Sequence, residues 1–240
     1  MRSHIVASFD AELRQLGALV VDMGAMVGCQ LEAAAEALRT RDCGLADRVV
    51  ASDRAIDSLQ ARIEDMVIHT IAKRQPVAVD LRETIATPKI ATDLKRMGDL
   101  AKNNAKRVTA MSAQPVPPVV AADLGALSAR VSGQVTRVMQ AYARRDEALA
   151  GAVWLEDGDI DALHTALFRE LLTCMMQDPR CIGYCTHLLF CAKNLERIGD
   201  HATNIAENVH FIATGSFLSG DRPKGETDST ALPPPSAGPR

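Results

Sequence analysis

Aromatic residues are scarce in this sequence, which has only five Phe, two Tyr and one Trp among its 240 residues. A core with so few rings has to be built from Ala, Leu, Val, Ile and Met, and a hydrophobic fraction of 47% supplies enough of them. This composition is typical of long, closely packed helices, whereas β-sheets favour aromatic and β-branched side chains. We therefore expect an all-α protein.

A strong net charge is also missing, because 27 Lys and Arg against 30 Asp and Glu leave −3. Nucleic-acid binding requires a clustered basic surface, so no nucleic-acid partner is expected. No segment holds the roughly 18 uninterrupted apolar residues of a membrane span, and the first residues lack the apolar region of a secretory signal. We expect a cytoplasmic protein that reaches a membrane only through its partners.

The six cysteines form no C-x-x-C motif, and the chain is not one of the short secreted domains that depend on disulfides. Cys181 and Cys185 lie four residues apart. A zinc site there would need two more soft ligands, whereas free cysteine commonly packs as a small hydrophobic residue. We favour reduced, structural thiols.

The most informative feature that is present is an internal repeat. Residues 191–209, CAKNLERIGDHATNIAENV, match residues 90–108, IATDLKRMGDLAKNNAKRV, position by position. Two upstream pairs also resemble each other, SDRAIDSL with EDGDIDAL and ALRTRD with AYARRD. The offset falls from 104 (161 − 57) to 101 (200 − 99) along the repeat, as a shortened loop between helices would cause. Each copy therefore predicts three helices.

Helical periodicity and breaking residues place these helices near 5–40, 43–74, 80–111, 121–146, 147–177 and 181–214. The segment SAQPVPPVV carries three prolines and no charge, so it predicts a linker. The last residues are rich in Pro, Gly, Ser and Thr, which cannot build a core. The expected organisation is a three-helix bundle at 1–112, a linker at 113–120, a second bundle at 121–215 and a disordered tail at 216–240.

Polar side chains recur at helical spacing along the last helix. At intervals of four, four and three residues, they form a stripe nearly opposite the apolar face: Glu196, Asp200, Asn204 and Glu207. The preceding helix carries Asp157 and Asp161 four residues apart, and Asp53 and Asp57 are their counterparts in the first copy. We expect these acids to face solvent.

Two such helices side by side would bring four acids together, Asp157, Asp161, Glu196 and Asp200. Carboxylates at close range repel one another, and a bound cation would relieve this repulsion. Magnesium, manganese and iron ions favour oxygen ligands of this kind. An isolated D-x-x-x-D is most often just a solvated helix face, but its recurrence in both copies favours metal sites.

The segment LERIGDHATNIAENV, its earlier copy and the two D-x-x-x-D segments resemble the PhoU family of bacterial phosphate-transport regulators. The resemblance covers residues 5–214 and includes the duplicated three-helix layout. It implies two adjacent bundles whose surface E(D)-x-x-x-D motifs hold iron, manganese or other metals in some members. Carried over by position, it implies metal ligands at Asp53, Asp57, Asp99, Asp157, Asp161, Glu196 and Asp200, with Asn103, Asn204 and Glu207 as further polar candidates.

The sequence departs from the family pattern at two positions of the first copy. Lys95 stands where the family places a glutamate, which leaves Asp99 without its partner carboxylate. Asn104 occupies the place of Ile205, which directs an amide toward the bundle core. Because a protonated lysine cannot bind a metal ion, Lys95 leads us to expect that metal is held more tightly in the second unit than in the first.

The resemblance also implies a function, negative regulation of the phosphate-starvation response and modulation of phosphate uptake. The implied partners are the sensor histidine kinase of the phosphate regulon, the ATPase subunit of the phosphate ABC transporter, and a second copy of the chain in a homodimer. The sequence has neither a nucleotide-binding loop nor a catalytic triad, so no catalytic residues are expected.

Two alternatives remain open at this point. One is a carboxylate-bridged metalloenzyme, since Glu207 and His210 supply one E-x-x-H motif. Di-iron bundles need two such motifs projecting into the core, and only one occurs here. The other alternative is a metal-free helical adaptor that binds its partners through grooves alone.

Overall fold

The structure, a computed structural model, describes residues 7–111 and 118–218, and all regular secondary structure in this part of the chain is helical. Besides one 3-10 turn, Pro179–Cys181, the elements are α1 Ala7–Thr40, α2 Cys43–Arg74, α3 Ala78–Met111, α4 Pro118–Arg144, α5 Glu147–Leu155, α6 Asp157–Gln177 and α7 Ile182–Thr214. Helices α1–α3 pack as the first unit. In the second unit, α4 and α7 pack with α5 and α6, which together take the place of α2. The all-α fold of two repeated three-helix bundles is confirmed.

The loop that follows α1 has the same conformation as the loop that follows α4, as the repeat predicts. Arg41 and Arg145 both adopt a left-handed backbone, with φ of 58° and 53°. The next residues, Asp42 and Asp146, each accept a hydrogen bond from the backbone N–H three residues on, at 2.9 Å. A side-chain oxygen in this position satisfies a donor that the first helical turn leaves unpaired. The two helix starts are therefore fixed by the same local device.

Two of the differences from the expected helices exceed two residues. The helix expected at 147–177 is interrupted at Glu156, whose backbone N–H bonds to the Val153 carbonyl in a tightened turn. The last three residues of the expected linker, 118–120, belong to α4, because Pro118 can start a helix, where its missing N–H is not needed. Residues 113–117 of that linker lie outside the described part of the chain.

The chain beyond Gly215 continues to pack for a few residues. The ring of Phe217 stacks on that of Phe211, with centroids 4.8 Å apart, and Leu218 lies against the core. The remainder of the expected tail, 219–240, lies outside the described residues. The packed part of the second unit therefore extends to Leu218.

One helix in the described ranges, α1, is long and apolar enough by length and composition alone to cross a membrane, since an 18-residue window within Ser8–Thr40 has a mean hydropathy of 1.3. The core helix of a soluble protein passes the same test. Leu16, Val20 and Met23 are buried, and the helix packs against α2, α3 and α4. Packing within the bundles accounts for its apolar character.

The two units meet where α3 packs antiparallel against α7. Asp93 of α3 lies 2.9 Å from His201 of α7, whereas Asn104 of α3 lies 2.8 Å from Asn194. Residue numbers thus rise along α3 as they fall along α7. Because α7 also packs against α4, α5 and α6, it is surrounded on most sides.

Glycine lets the third helix of each unit approach its neighbours. A Cβ added to Gly98 would lie 3.0 Å from Oε1 of Gln30 and 3.2 Å from Cδ1 of Ile56. A Cβ on Gly199 would meet the repeat-related isoleucine and glutamine at 3.0 and 3.2 Å. Such distances are tighter than ordinary van der Waals contact. The same close approach therefore exists in both units.

This packing generates a prediction about two glycines in helices. Gly98→Ala should be less stable than Gly28→Ala by about 1 kcal/mol or more, because both gain helix propensity but only the first is overpacked. Gly28 is the matched control, since a Cβ there meets nothing within 4 Å. Urea unfolding of both variants measures the difference, and equal stabilisation would show that Gly98 is not a packing requirement.

Candidate metal sites of the two units

The acids of each unit lie beside the glycine contact, where α2 crosses α3 in the first unit and α6 crosses α7 in the second. In the first unit they form what we call the first cluster, Asp53, Asp57 and Asp99. In the second unit the corresponding acids, called the second set, are Asp157, Asp161, Glu196 and Asp200. Helices α2 and α3 carry the first cluster, and α6 and α7 carry the second set. The repeat in sequence is thus a repeat in space.

Two lysines neutralise most of the charge of the first cluster. Nζ of Lys102 forms ion pairs with Oδ2 of Asp53 and, at 2.8 Å, with Oδ1 of Asp99. Nζ of Lys95 lies 2.5 Å from the other oxygen of Asp99 and 3.8 Å from Oδ1 of Asp57. Lys102 had not been identified from the sequence, although its charge at the place of Thr203 was a usable signal.

Asp99 and Lys102 shift each other's pKa. Burial alone would raise the pKa of Asp99, but hydrogen bonds and charge from Lys102 and Lys95 outweigh it and lower that pKa below its usual value. Burial alone would lower the pKa of Lys102, but Asp53 and Asp99 raise it instead. Each shift favours the charged form of its group. Asp99 and Lys102 are therefore both charged at neutral pH.

The first cluster, so arranged, does not fit a metal ion. Lys95 removes one of the carboxylates that the E(D)-x-x-x-D pattern requires. Lys102 already occupies one oxygen of Asp53 and one of Asp99. An ammonium group has three donors and no lone pair for a metal, and its charge opposes a second cation nearby.

The second unit has different chemistry at the equivalent positions. Thr203 takes the place of Lys102, and its hydroxyl lies 3.0 Å from Oδ1 of Asp157 and 3.1 Å from the Gly199 carbonyl. Oε1 of Glu196 accepts a hydrogen bond from Lys193 at 2.8 Å. Its Oε2 is buried and has no partner. A buried carboxylate oxygen without a partner is the kind of atom that a cation would satisfy.

The second set is not preassembled as a metal site. Across residues 7–111 and 118–218, no group of three or more His, Cys, Asp or Glu side chains is placed to hold an ion. His164 is close enough to be influenced by two charged neighbours, since burial and Lys193 lower its pKa while Asp161 raises it, and the net shift is downward. The second set thus fits a cation in its donor chemistry, and binding would require its side chains to turn toward one another.

The acids are more buried than the helical stripe predicts. Asp53 is 7% exposed and Asp157 is 3% exposed, whereas Asp57 stays half open, with 50% of its side chain accessible. The expectation that these acids face solvent treated each helix alone. In the fold, α3 packs against α2 and α7 packs against α6, so the expectation that Asp53 and Asp157 face solvent is wrong.

The three further polar candidates have other surroundings. Asn103 is exposed. Asn204 donates to Oδ1 of Asp93 in the other unit at 3.4 Å. Oε1 of Glu207 accepts a hydrogen bond of 3.0 Å from the indole N–H of Trp154. The structure places Asn204 and Glu207 in contacts between helices.

Asn104 does point toward the interior, as its position opposite Ile205 predicts. It is 3% exposed, and it donates to the Cys191 carbonyl at 3.4 Å and accepts from Asn194 at 2.8 Å. A buried amide is tolerated when its polar atoms are paired. Asn104 therefore acts at the contact between units, where α3 meets α7.

The remaining E-x-x-H and cysteine candidates do not form metal sites. Nδ1 of His210 lies 3.8 Å from Oε1 of Glu147, while Glu207 is engaged with Trp154, so the two motif residues face different partners. The cysteines are free thiols, and Sγ of Cys174 lies 3.7 Å from the Tyr184 hydroxyl. Burial raises the pKa of Cys191 to about 12. A thiol that stays protonated in this way is a poor nucleophile and a poor metal ligand at neutral pH.

The contact between Trp154 and Glu207 generates a test of the ligand assignment. Glu207→Ala should shift the emission of Trp154, the only tryptophan, and should lower the free energy of unfolding by about 1–3 kcal/mol because a buried donor loses a charged partner. Bound metal should not change. Glu207→Gln, which keeps an acceptor, is the control. Loss of metal with unchanged emission would make Glu207 a ligand instead.

Comparison with known proteins finds one family in both halves of the chain. The family model described as the PhoU domain matches residues 20–108 and 124–209. The first match lies within α1–α3 and the second within α4–α7. Each structural unit therefore corresponds to one copy of the domain.

Relatives resemble the chain over nearly its full length. It is 46% identical over 228 residues to the phosphate-specific transport system accessory protein PhoU homolog of Rhizobium meliloti (strain 1021), with 95% of this chain and 96% of that protein covered. It is 34% identical over 215 residues to the phosphate-specific transport system accessory protein PhoU of Escherichia coli (strain K12), with 90% and 89% covered.

Solved structures share the fold. PhoU from Pseudomonas aeruginosa superposes with a TM-score of 0.84 at 35% identity, covering 87% of this chain and 100% of that chain. The phosphate transport system regulatory protein PhoU from Streptococcus pneumoniae gives 0.82 at 26% identity, covering 88% and 99%. Both likenesses extend through the two units.

Proposed function

We infer that this chain, which belongs to the PhoU family, is an accessory protein of a phosphate-specific transport system. The observation that carries this inference is the match of both units, each with the PhoU domain, together with near-complete coverage of relatives so named. The family consists of accessory and regulatory proteins, not enzymes. Membership of this family does not support the metalloenzyme alternative.

The proposed role is negative regulation of the phosphate-starvation response. The protein would join the ATPase subunit of the phosphate ABC transporter to the sensor histidine kinase and keep the response inactive when phosphate is plentiful. The description of the Streptococcus pneumoniae relative as a regulatory protein supports this role. Its place of action would be the cytoplasm, with membrane association only through these partners.

An apolar stripe on α6 supports a role in protein binding. Phe168, Leu172 and Met176 follow at intervals of four residues and are 37%, 41% and 84% exposed. Exposed apolar side chains in a row commonly mark interaction surfaces. We assign this α6 stripe to a partner protein of the phosphate system. A homodimer through the same stripe is the alternative, and sedimentation of the purified chain separates the two.

A phosphate-responsive reporter tests the role and the stripe together. Deletion should raise reporter output in phosphate-rich medium, and the wild-type gene should restore repression. Leu172→Asp with Met176→Asp should fail to restore it, because buried carboxylates would oppose the apolar contact. Thr173→Asp with Gln177→Asp adds the same charge at neighbouring exposed positions of α6 and should restore repression. Unchanged reporter output in the deletion strain would refute the proposed role.

We also propose that the second unit binds a magnesium, manganese or iron ion through Asp157, Asp161, Glu196 and Asp200. Support comes from the carboxylate donor set and the partnerless buried Oε2 of Glu196. The first cluster, held by two lysines, would contribute little. A metal-free adaptor remains the competing proposal.

Metal content distinguishes these proposals. Asp200→Ala should remove about one ion per chain, because it deletes a carboxylate of the second set. Asp99→Ala should remove none, since Asp99 is engaged with Lys95 and Lys102. Elemental analysis of untagged protein after dialysis against a weak chelator measures both variants. A larger loss for Asp99→Ala would reverse the assignment, and no metal in the parent protein would favour the metal-free adaptor.

A further inference from the structure

Lys102 is the side chain that most clearly distinguishes the two units. It lies at the repeat position of Thr203 (203 − 102 = 101), and its Nζ joins Asp53 of α2 to Asp99 of α3. The side chain of Asp53 is only 9% accessible, and those of Lys102 and Asp99 are each 20% accessible. The bridge is therefore largely shielded from water, where ion pairs are screened less than at the surface.

We propose that Lys102, assisted by Lys95, acts as a covalently attached cation that holds the carboxylates of the first cluster together without a metal ion. The contact between α2 and α3 would then be independent of metal supply. Any response of this protein to metal would belong to the second unit alone. The first unit would thus be independent of metal, and the second unit would be the one that responds to it.

The geometry supports this assignment because the lysines meet the same electrostatic need as a metal ion. Two ammonium groups lie among three carboxylates, and they contact each of Asp53, Asp57 and Asp99. A charge attached to α3 cannot dissociate from the site or be removed by a chelator. An incoming divalent cation would have to displace it and would be repelled until it did.

The second unit lacks this arrangement at the same positions. Thr203 offers Asp157 a neutral hydroxyl in place of the Lys102 ammonium. Glu196 stands where Lys95 stands in the first unit. Lys193 does pair with one oxygen of Glu196, but its side chain is 54% exposed, and exposed pairs of this kind hold weakly.

Exchange of two residues between units is the direct test. Lys95→Glu with Lys102→Thr gives the first unit the full residue pattern of the second set and its threonine. Lys89→Glu with Lys106→Thr makes the same charge change on exposed positions of α3 and is the matched control. Both pairs are made in full-length untagged protein carrying Asp200→Ala, and bound manganese is measured after dialysis with MnCl₂.

The exchanged variant should bind about one more manganese ion per chain than the control, and manganese should raise its melting temperature while leaving that of the control unchanged. Equal manganese content in the two variants would overturn the proposal. The manganese comparison depends on the proposed second-unit site only because that site supplied the residues that are introduced into the first unit. If Asp200→Ala does not lower the metal content, the proposed second-unit site is refuted, but the comparison of the two variants still stands.

Hydrogen exchange tests the role of this attached cation without any added metal. In the parent protein, protection of α2 and α3 should be the same in chelator and in manganese. Lys102→Thr should lose protection there in chelator, Lys102→Arg should retain most of it, and Lys106→Thr should match the parent. Loss of α2–α3 protection in the parent on chelation would overturn the proposal, as would unchanged protection in Lys102→Thr. These single variants decide the question if the exchanged variant does not fold.

Discussion

The antiparallel contact between α3 and α7 is the constraint on which the rest of this structure depends. Each of these helices is a core helix of its own unit and also packs against the other unit, so side chains on their facing sides are shielded from water. Polar groups at the contact are paired across it, as Asp93 with His201 and Asn104 with Asn194. A buried polar group without a partner would be costly. The contact thus selects which polar residues the third helices can carry.

Within this frame the two units share their packing and differ in their charge. Both keep the glycine at which α3 or α7 approaches its neighbours, because a Cβ at Gly98 or Gly199 would lie only 3.0–3.2 Å from a buried glutamine and isoleucine. Charge is less constrained, since a group of carboxylates needs only to be neutralised. Lys102 and Lys95 neutralise most of it in the first unit, whereas the same positions of the second unit hold Thr203 and Glu196. Duplication has therefore preserved a shape and changed its electrostatics.

The helices themselves were predictable because their signals are local. The helix expected at 43–74 has those bounds in the structure, where Asp42 caps its start and Gln75 adopts a left-handed backbone at its end. The interruption at Glu156 was not predicted, because no proline stands there and both flanking segments continue the helical pattern. The acids of the first cluster and the second set were identified from helical spacing, the internal repeat and the family resemblance, whereas Lys102 was missed because none of these reveals which residue faces Asp53 from another helix.

The sequence alone determined the helical class, the two repeated units and the positions of the acidic residues, since composition, capping and periodicity act over one or two helical turns. Tertiary structure alone decided which partners reach these residues from other helices. Lys102 neutralises Asp53 from 49 residues away, Asp93 holds Asn204 from the other unit, and Trp154 binds Glu207. A helical pattern shows the direction of a side chain from its own axis, but the partner there is set by how separate helices pack.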